Sequence, residues 1–204
     1  MKRASREKRL NTFHRKRIVT FNAKYPSGTE ENYAKFGKGF VNWFKPREYK
    51  EGGKSFAMYS KTSAYEATYE IILIAKEKTV QRHTKQIQAW DRHLAHLRIG
   101  FEKNSLIIEA MQTEINVNNY LNSFRRATKE KPLDKMLKEA EQTARLVGFK
   151  QVKIRKPQTL FYYMNPANTR LSDKSIQRNM RILYGRIAKA NGYKEEEFYY
   201  TKTL

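Results

Sequence analysis

No cysteine occurs among the 204 residues. Disulfide frameworks, thiolate zinc sites and cysteine nucleophiles are excluded, and a reducing compartment or a virus particle is the fitting environment. Long hydrophobic runs are missing too. The longest, Ile71 to Ala75, is far shorter than the ~20 apolar residues of a membrane-spanning helix, so no membrane association is expected. Acid is scarce: 20 carboxylates stand against 42 Lys and Arg, a net charge of +22. An imbalance of that size raises a potential of several kT and makes an anionic partner the default expectation.

What is abundant is aromatic. Eleven Phe, thirteen Tyr and two Trp supply enough buried area to keep the chain out of the disordered class. The excess charge is uneven. Residues 1–61 carry sixteen basic and five acidic side chains, residues 62–130 ten and eight, and residues 131–204 sixteen and seven. A near-neutral middle therefore separates two basic ends.

Residues 1–17 form a basic arm, with Lys2, Arg3, Arg6, Lys8, Arg9, Arg15, Lys16 and Arg17 against Glu7 alone. It has too few apolar residues to bury itself, and contact with nucleic acid is expected to order it. Residues 18–61 make an aromatic and glycine-rich loop and short-strand segment. Tyr33, Phe36, Phe40, Trp43, Phe44, Tyr49 and Phe56 alternate there with Lys35, Lys38, Lys45 and Lys54. Such interleaving suits base stacking in single-strand binders, but aromatics beside glycines more often anchor a loop to a core, and anchoring is the preferred reading.

Residues 62–130 read as helical. Ser63 with Glu66 has the capping-box spacing. Val80, His83, Ile87, Trp90, Leu94, Leu97 and Phe101 recur at steps of three and four, and Leu106, Ala110, Thr113, Val117, Tyr120 and Phe124 form a second such seam. With Gly100 as the break, the expectation is an α+β protein, predominantly helical. A long central antiparallel helical hairpin would carry short β elements toward both ends, and would also be the surface for homo-oligomer formation.

Residues 131–204 read as a small basic α/β unit. It holds a helix from Leu133 to Val147 stopped by Gly148, β-like runs at Val152–Arg155 and Thr159–Met164, a last helix after Ser172, and a strand-like tail from Phe198 to Thr203. On that last helix Ile176, Met180, Leu183 and Ile187 fall within about 60° of one another, and Lys174, Arg178, Arg181 and Lys189 within about 80° on the other side. Gly185 lies in the basic face, where bare backbone would let a phosphate approach. Only Asp173, at the helix start, supplies acid. A lipid surface is the competing anion, disfavoured because the apolar face lacks Trp and Phe.

Signs of catalysis are weak. His93 and His96 have the i, i+3 spacing of a helical metal pair, without the glutamate of a zinc-protease helix and with Arg92 beside them. Tyr199 and Tyr200 with Arg178 and Arg181 superficially suit a DNA-joining site, yet no histidine follows His96. Glu139 and Glu141, two apart on a helix, face different ways and do not make a Mg²⁺ site. No catalytic residue, metal or cofactor is expected. The leading expectation is a non-enzymatic, largely sequence-independent nucleic-acid-binding protein in a nucleoprotein assembly, located in the cytoplasm or within a virion or similar particle. A structural assembly protein bound mainly to protein neighbours is the first alternative. A nucleic-acid-processing enzyme is the second.

Overall fold

The run Ile71-Ile72-Leu73-Ile74 is buried at every position, and that decides the architecture. A strand flanked by packed layers on both faces is apolar without alternation, and its β-branched side chains favour extended backbone. Ile71 and Leu73 enter the main core, whereas Ile72 and Ile74 enter a smaller cluster with Ala57 and Tyr59 on the other face. The computed structural model describes residues 40, 43–62, 69–80, 87–102, 104–114, 116–159 and 174–204.

Among them are eight strands in one sheet and three α-helices. In chain order these are β1 (Arg47–Glu51), β2 (Lys54–Thr62), β3 (Tyr69–Val80), β4 (Ile87–Glu102), β5 (Ser105–Thr113), α1 (Asn118–Thr128), α2 (Pro132–Val147), β6 (Gln151–Arg155), α3 (Lys174–Ala190), β7 (Lys194–Glu195) and β8 (Tyr199–Thr203). The sheet runs β1-β2-β3-β4-β5-β6-β8-β7. β5 and β6 pair in parallel and every other neighbour is antiparallel. The parallel pair requires a crossover, and α1 and α2 supply it. At the first hairpin Gly52 and Gly53 both have positive φ, 54° and 77°, as a two-residue turn matched to strand twist demands.

α2 forms where the sequence reading put it. Pro132 stands in its first turn, Leu133, Met136, Leu137, Ala140 and Ala144 make one buried stripe, and Gly148 at φ 98° closes it. Phe101 on β4 is the hub of the core, stacked on Phe149 at 5.5 Å and tilted against Phe40 and Tyr69 at 6.0 and 5.3 Å. Phe124 of α1 receives the edges of Tyr49 and Phe56. Phe40, Phe44 and Phe56 are buried, so the aromatics of this segment that are described act mainly as anchors, although Trp43 is about half exposed.

The helical hairpin is not there. Val80 belongs to β3, Ile87 to Phe101 lie in β4, and Leu106 to Thr113 lie in β5; only the end of the second seam, Tyr120 and Phe124, is helical. Gly100, far from being a break, is buried inside β4 opposite Ile107. The cause is two β-bulges. Leu73 pairs with Ala95 and Ile74 with His93, which leaves Leu94 as an extra residue in β4. Ile99 pairs with Ile108 and Arg98 with Ala110, which leaves Glu109 extra in β5. A bulge shifts the side-chain alternation by one, so core-facing residues fall three apart rather than two. Ile108 to Met111 is such a step, and at the other bulge Leu94 joins its neighbour Ala95 in the core; both patterns imitate a helical period. The self-association expected of the hairpin loses its surface with it. β6 pairs with β5 and β8, and Thr159 ends a short 3-10 turn; the rest of the expected run Thr159–Met164 lies outside the described residues. Ser63, Glu66 and His83 also lie outside them.

Candidate nucleic-acid interface

α3 is amphipathic, and its burial fixes which side faces water. Tyr184, Ile187 and Ala188 are at most 1% exposed and belong to the main core, with Met180 and Leu183 half-buried beside them. Arg178, Arg181, Arg186 and Lys189 are exposed, as is Ile182. At about 100° per residue, Arg178, Ile182, Arg186 and Lys189 lie within about 80°, with Arg181 on the flank. Arg186 is absent from the set expected from the sequence; at about 100° per residue it lies on the side of the stripe away from Arg181. Lys174 opens the helix, but its side chain lies outside the described residues, as do Ser172, Asp173 and the whole arm carrying Lys2, Arg3, Arg6, Lys8, Arg9, Arg15, Lys16 and Arg17.

Gly185 does not serve as a bare approach for phosphate. A Cβ there would lie 3.3 Å from the Tyr200 hydroxyl, so the glycine lets β8 pack closely on the helix. Tyr184 reaches the sheet. Its hydroxyl accepts the Met111 backbone N–H at 2.7 Å and lies 3.3 Å from the Met111 carbonyl. Burial pushes this phenol up to about 12, with the Met111 hydrogen bond pulling the other way.

The cations of the sheet are arranged differently from those of α3. Across its strands Glu70 meets Lys61 and Arg98 at 3.8 and 3.6 Å, Arg155 forks onto Glu109, and Lys153 meets Glu102 at 3.2 Å. Arg47 of β1 pairs with Glu139 and Lys202 of β8 with Glu141; off the strands, Lys156 pairs with Glu195 and Lys138 of α2 with Glu130. Among the described residues, no carboxylate lies within ion-pair distance of Arg178, Arg181, Arg186 or Lys189. Among the described residues, these four cations of α3 thus differ from most cations of the strands. The C-terminal end of α3 also adjoins the α1–α2 turn, because the Asn191 amide donates to Asp134 of α2 at 2.9 Å.

His93 and His96 lie on an extended strand rather than a helix, and the extra residue Leu94 lets His93 face Ile74 and His96 face Ile72, both on the smaller cluster's side. The described residues contain no group of three His, Asp or Glu that could hold a metal ion. His96 is three-quarters or more buried, 3.8 Å from Glu114, and burial, helped by Arg98, holds its imidazole below the ordinary value. The Tyr199 ring lies against Lys153 and Arg155 and the Tyr200 ring against Lys156. Glu139 and Glu141 do point apart, the first to Arg47 and Lys135 and the second to Tyr193 and Lys202. No described helix is long and apolar enough to cross a membrane.

Compared with known proteins, the chain matches no family model, no curated protein and no solved structure. The fold therefore defines a class only by its own architecture: one large mixed sheet with a single parallel pair, crossed by two helices and flanked by a third that bears four exposed cations with no carboxylate in reach among the described residues.

Proposed function

We propose that the protein holds nucleic acid by its phosphate backbone, with little sequence preference, against the outward face of α3, as part of a nucleoprotein assembly. The observation that carries this reading is the contrast just described: among the described residues, four exposed cations on one helical face have no carboxylate within reach, whereas most cations of the strands are paired with acids. A lipid surface fits this helix poorly, because its apolar side is already spent on the core at Tyr184, Ile187 and Ala188. Phosphate contacts position a duplex or strand without reading bases, which matches a face made of point charges and guanidinium forks.

Anisotropy titrations of unrelated oligonucleotides test it. Each neutralised phosphate contributes about −0.9 to the slope of log K against log salt on duplex DNA. The variant Arg178→Ala/Arg181→Ala/Arg186→Ala/Lys189→Ala should make that slope shallower by about 3–4 units and weaken unrelated sequences alike. Salt-independent binding, or loss confined to one sequence, overturns the reading.

A second reading, a small-molecule site, is favoured by the parallel pair. β6 accompanies β5 only from Ser105 to Ile108, and beyond that point Tyr184 rather than β6 meets the Met111 backbone. In open sheets with parallel strands, ligands bind in the crevice outside the strands' carboxyl ends. A nucleotide panel that raises the melting temperature of the native chain, with the rise lost in Tyr184→Phe, would favour this reading; no shift from any member would retire it.

A further inference from the structure

A second cationic site lies on α1 and was not visible in the sequence. Along α1, Asn122, Arg125, Arg126 and Lys129 follow the i, i+3, i+4, i+7 spacing of one helical face, and they line an open recess of about 510 Å³. That volume lies within the range of small-ligand clefts, about 300–1,000 Å³. α1 contains no acidic residue. Other elements add to its charge. Lys54 of β2 and Arg126 both donate to the hydroxyl of Ser123, at 3.3 and 3.0 Å, while Ser123 gives its own proton to the Asn119 carbonyl at 2.9 Å. Lys54 and Arg92 of β4 both lie over the Tyr120 ring, at 4.9 and 5.2 Å.

The helix macrodipole favours cations in the last turn and so accounts for Arg125 and Arg126 in part. It gives no reason for Lys54 to be brought from the sheet onto the same hydroxyl as Arg126. Two like charges converging on one buried oxygen repel each other, and the carboxylate recorded beside them is Glu51, 3.6 Å from Arg126. Arg125 and Lys129 are exposed and have no carboxylate within reach among the described residues. An anion seated in the recess meets Arg126 together with the exposed Arg125 and Lys129. Phosphate matches it best, because guanidinium groups fork onto phosphate oxygens and the Asn122 amide can donate beside them.

We infer that this recess is a phosphate-binding site. The phosphate belongs either to a nucleic-acid backbone, which makes the recess a second contact of the reading above, or to a free polyphosphate. The two sources are separated by two probes, inorganic pyrophosphate followed by calorimetry and an oligonucleotide followed by anisotropy, each applied to the full chain and to Arg125→Gln/Lys129→Gln. Both side chains are exposed, so the melting transition of the variant should match that of the parent. With a backbone phosphate, the oligonucleotide salt slope falls by about 2 units and pyrophosphate gives no heat with either protein. With a free polyphosphate, the parent binds pyrophosphate, the variant binds at least about tenfold more weakly, and the oligonucleotide slope is unchanged. If the double variant behaves like the parent with both probes, the site does not exist. Failure of the α3 variant to change binding, with the α1 variant effective, would retire the α3 interface and leave this site standing.

Discussion

Tyr184 joins the helix proposed as an interface to the sheet, so it tests how firmly that helix is held. Its hydroxyl is the partner of a buried backbone N–H at Met111. Replacing it with Phe keeps the ring and removes the acceptor, and an unsatisfied buried donor costs about 1–3 kcal/mol. Urea unfolding of Tyr184→Phe should show that loss with an unchanged m-value; a loss well below it would mean that another group takes over the N–H. His96 makes a different kind of test. Burial first, then Arg98 and His93, hold its imidazole down against the pull of Glu70 and Glu114. The folded chain thus takes up this proton less readily than the unfolded one. Its contribution is full above the ordinary histidine value of 6.5 and is lost as pH falls through that value toward the lower folded one. The urea midpoint should therefore decline between about pH 7 and 5, and decline less in His96→Gln. Parallel declines in both proteins would assign the effect to other groups.

At the scale of elements, local signals were read correctly and non-local ones were not. α2 and α3 were legible because a stop glycine and a 3.6-residue period are properties of one segment. Gly148 illustrates it: its φ of 98° is left-handed, and nothing within 4 Å obstructs a Cβ. Gly148→Ala should therefore cost about 1–2 kcal/mol through backbone strain alone, and Gly148→Asn less, by urea unfolding. Equal costs would point to a steric cause instead. β6 and β8 were likewise visible as short β-rich runs. β3 to β5 were misread because Leu94 and Glu109 are inserted opposite no partner, and a bulge is defined by the neighbouring strand, which a single-segment period does not contain. The all-buried run Ile71 to Ile74 was the one local clue to a strand. The same division holds for the sites. The outward face of α3 follows from its own period, apart from Arg186 and from Gly185, whose role depends on Tyr200. The α1 recess is lined by one helical face, Asn122, Arg125, Arg126 and Lys129, while the Lys54 and Arg92 contacts to Ser123 and Tyr120 of the same helix come from β2 and β4, more than twenty residues away in the chain.

For the whole molecule, the question is whether an excess of 22 positive charges weakens the fold it decorates. Two effects of salt oppose each other. Screening weakens the ion pairs of the sheet, but several of these are partly buried and are screened less, and exposed pairs are worth only about 0–1 kcal/mol each. Screening also relieves repulsion among the unpaired cations of α1 and α3, which lie in water, where the Debye length shrinks from about 30 Å at 0.01 M to about 8 Å at 0.15 M. Repulsion should dominate, so the melting temperature of the free protein should rise over that range of sodium chloride. The α3 variant Arg178→Ala/Arg181→Ala/Arg186→Ala/Lys189→Ala should melt higher than the parent at low salt and gain less from added salt. A parent that melts lower as salt is added would show instead that the sheet's ion pairs govern stability. Taken with the binding titration, the signs discriminate between roles. Charges kept for the fold would lower both stability and affinity when removed, whereas charges kept for a polyanion lower affinity and raise stability.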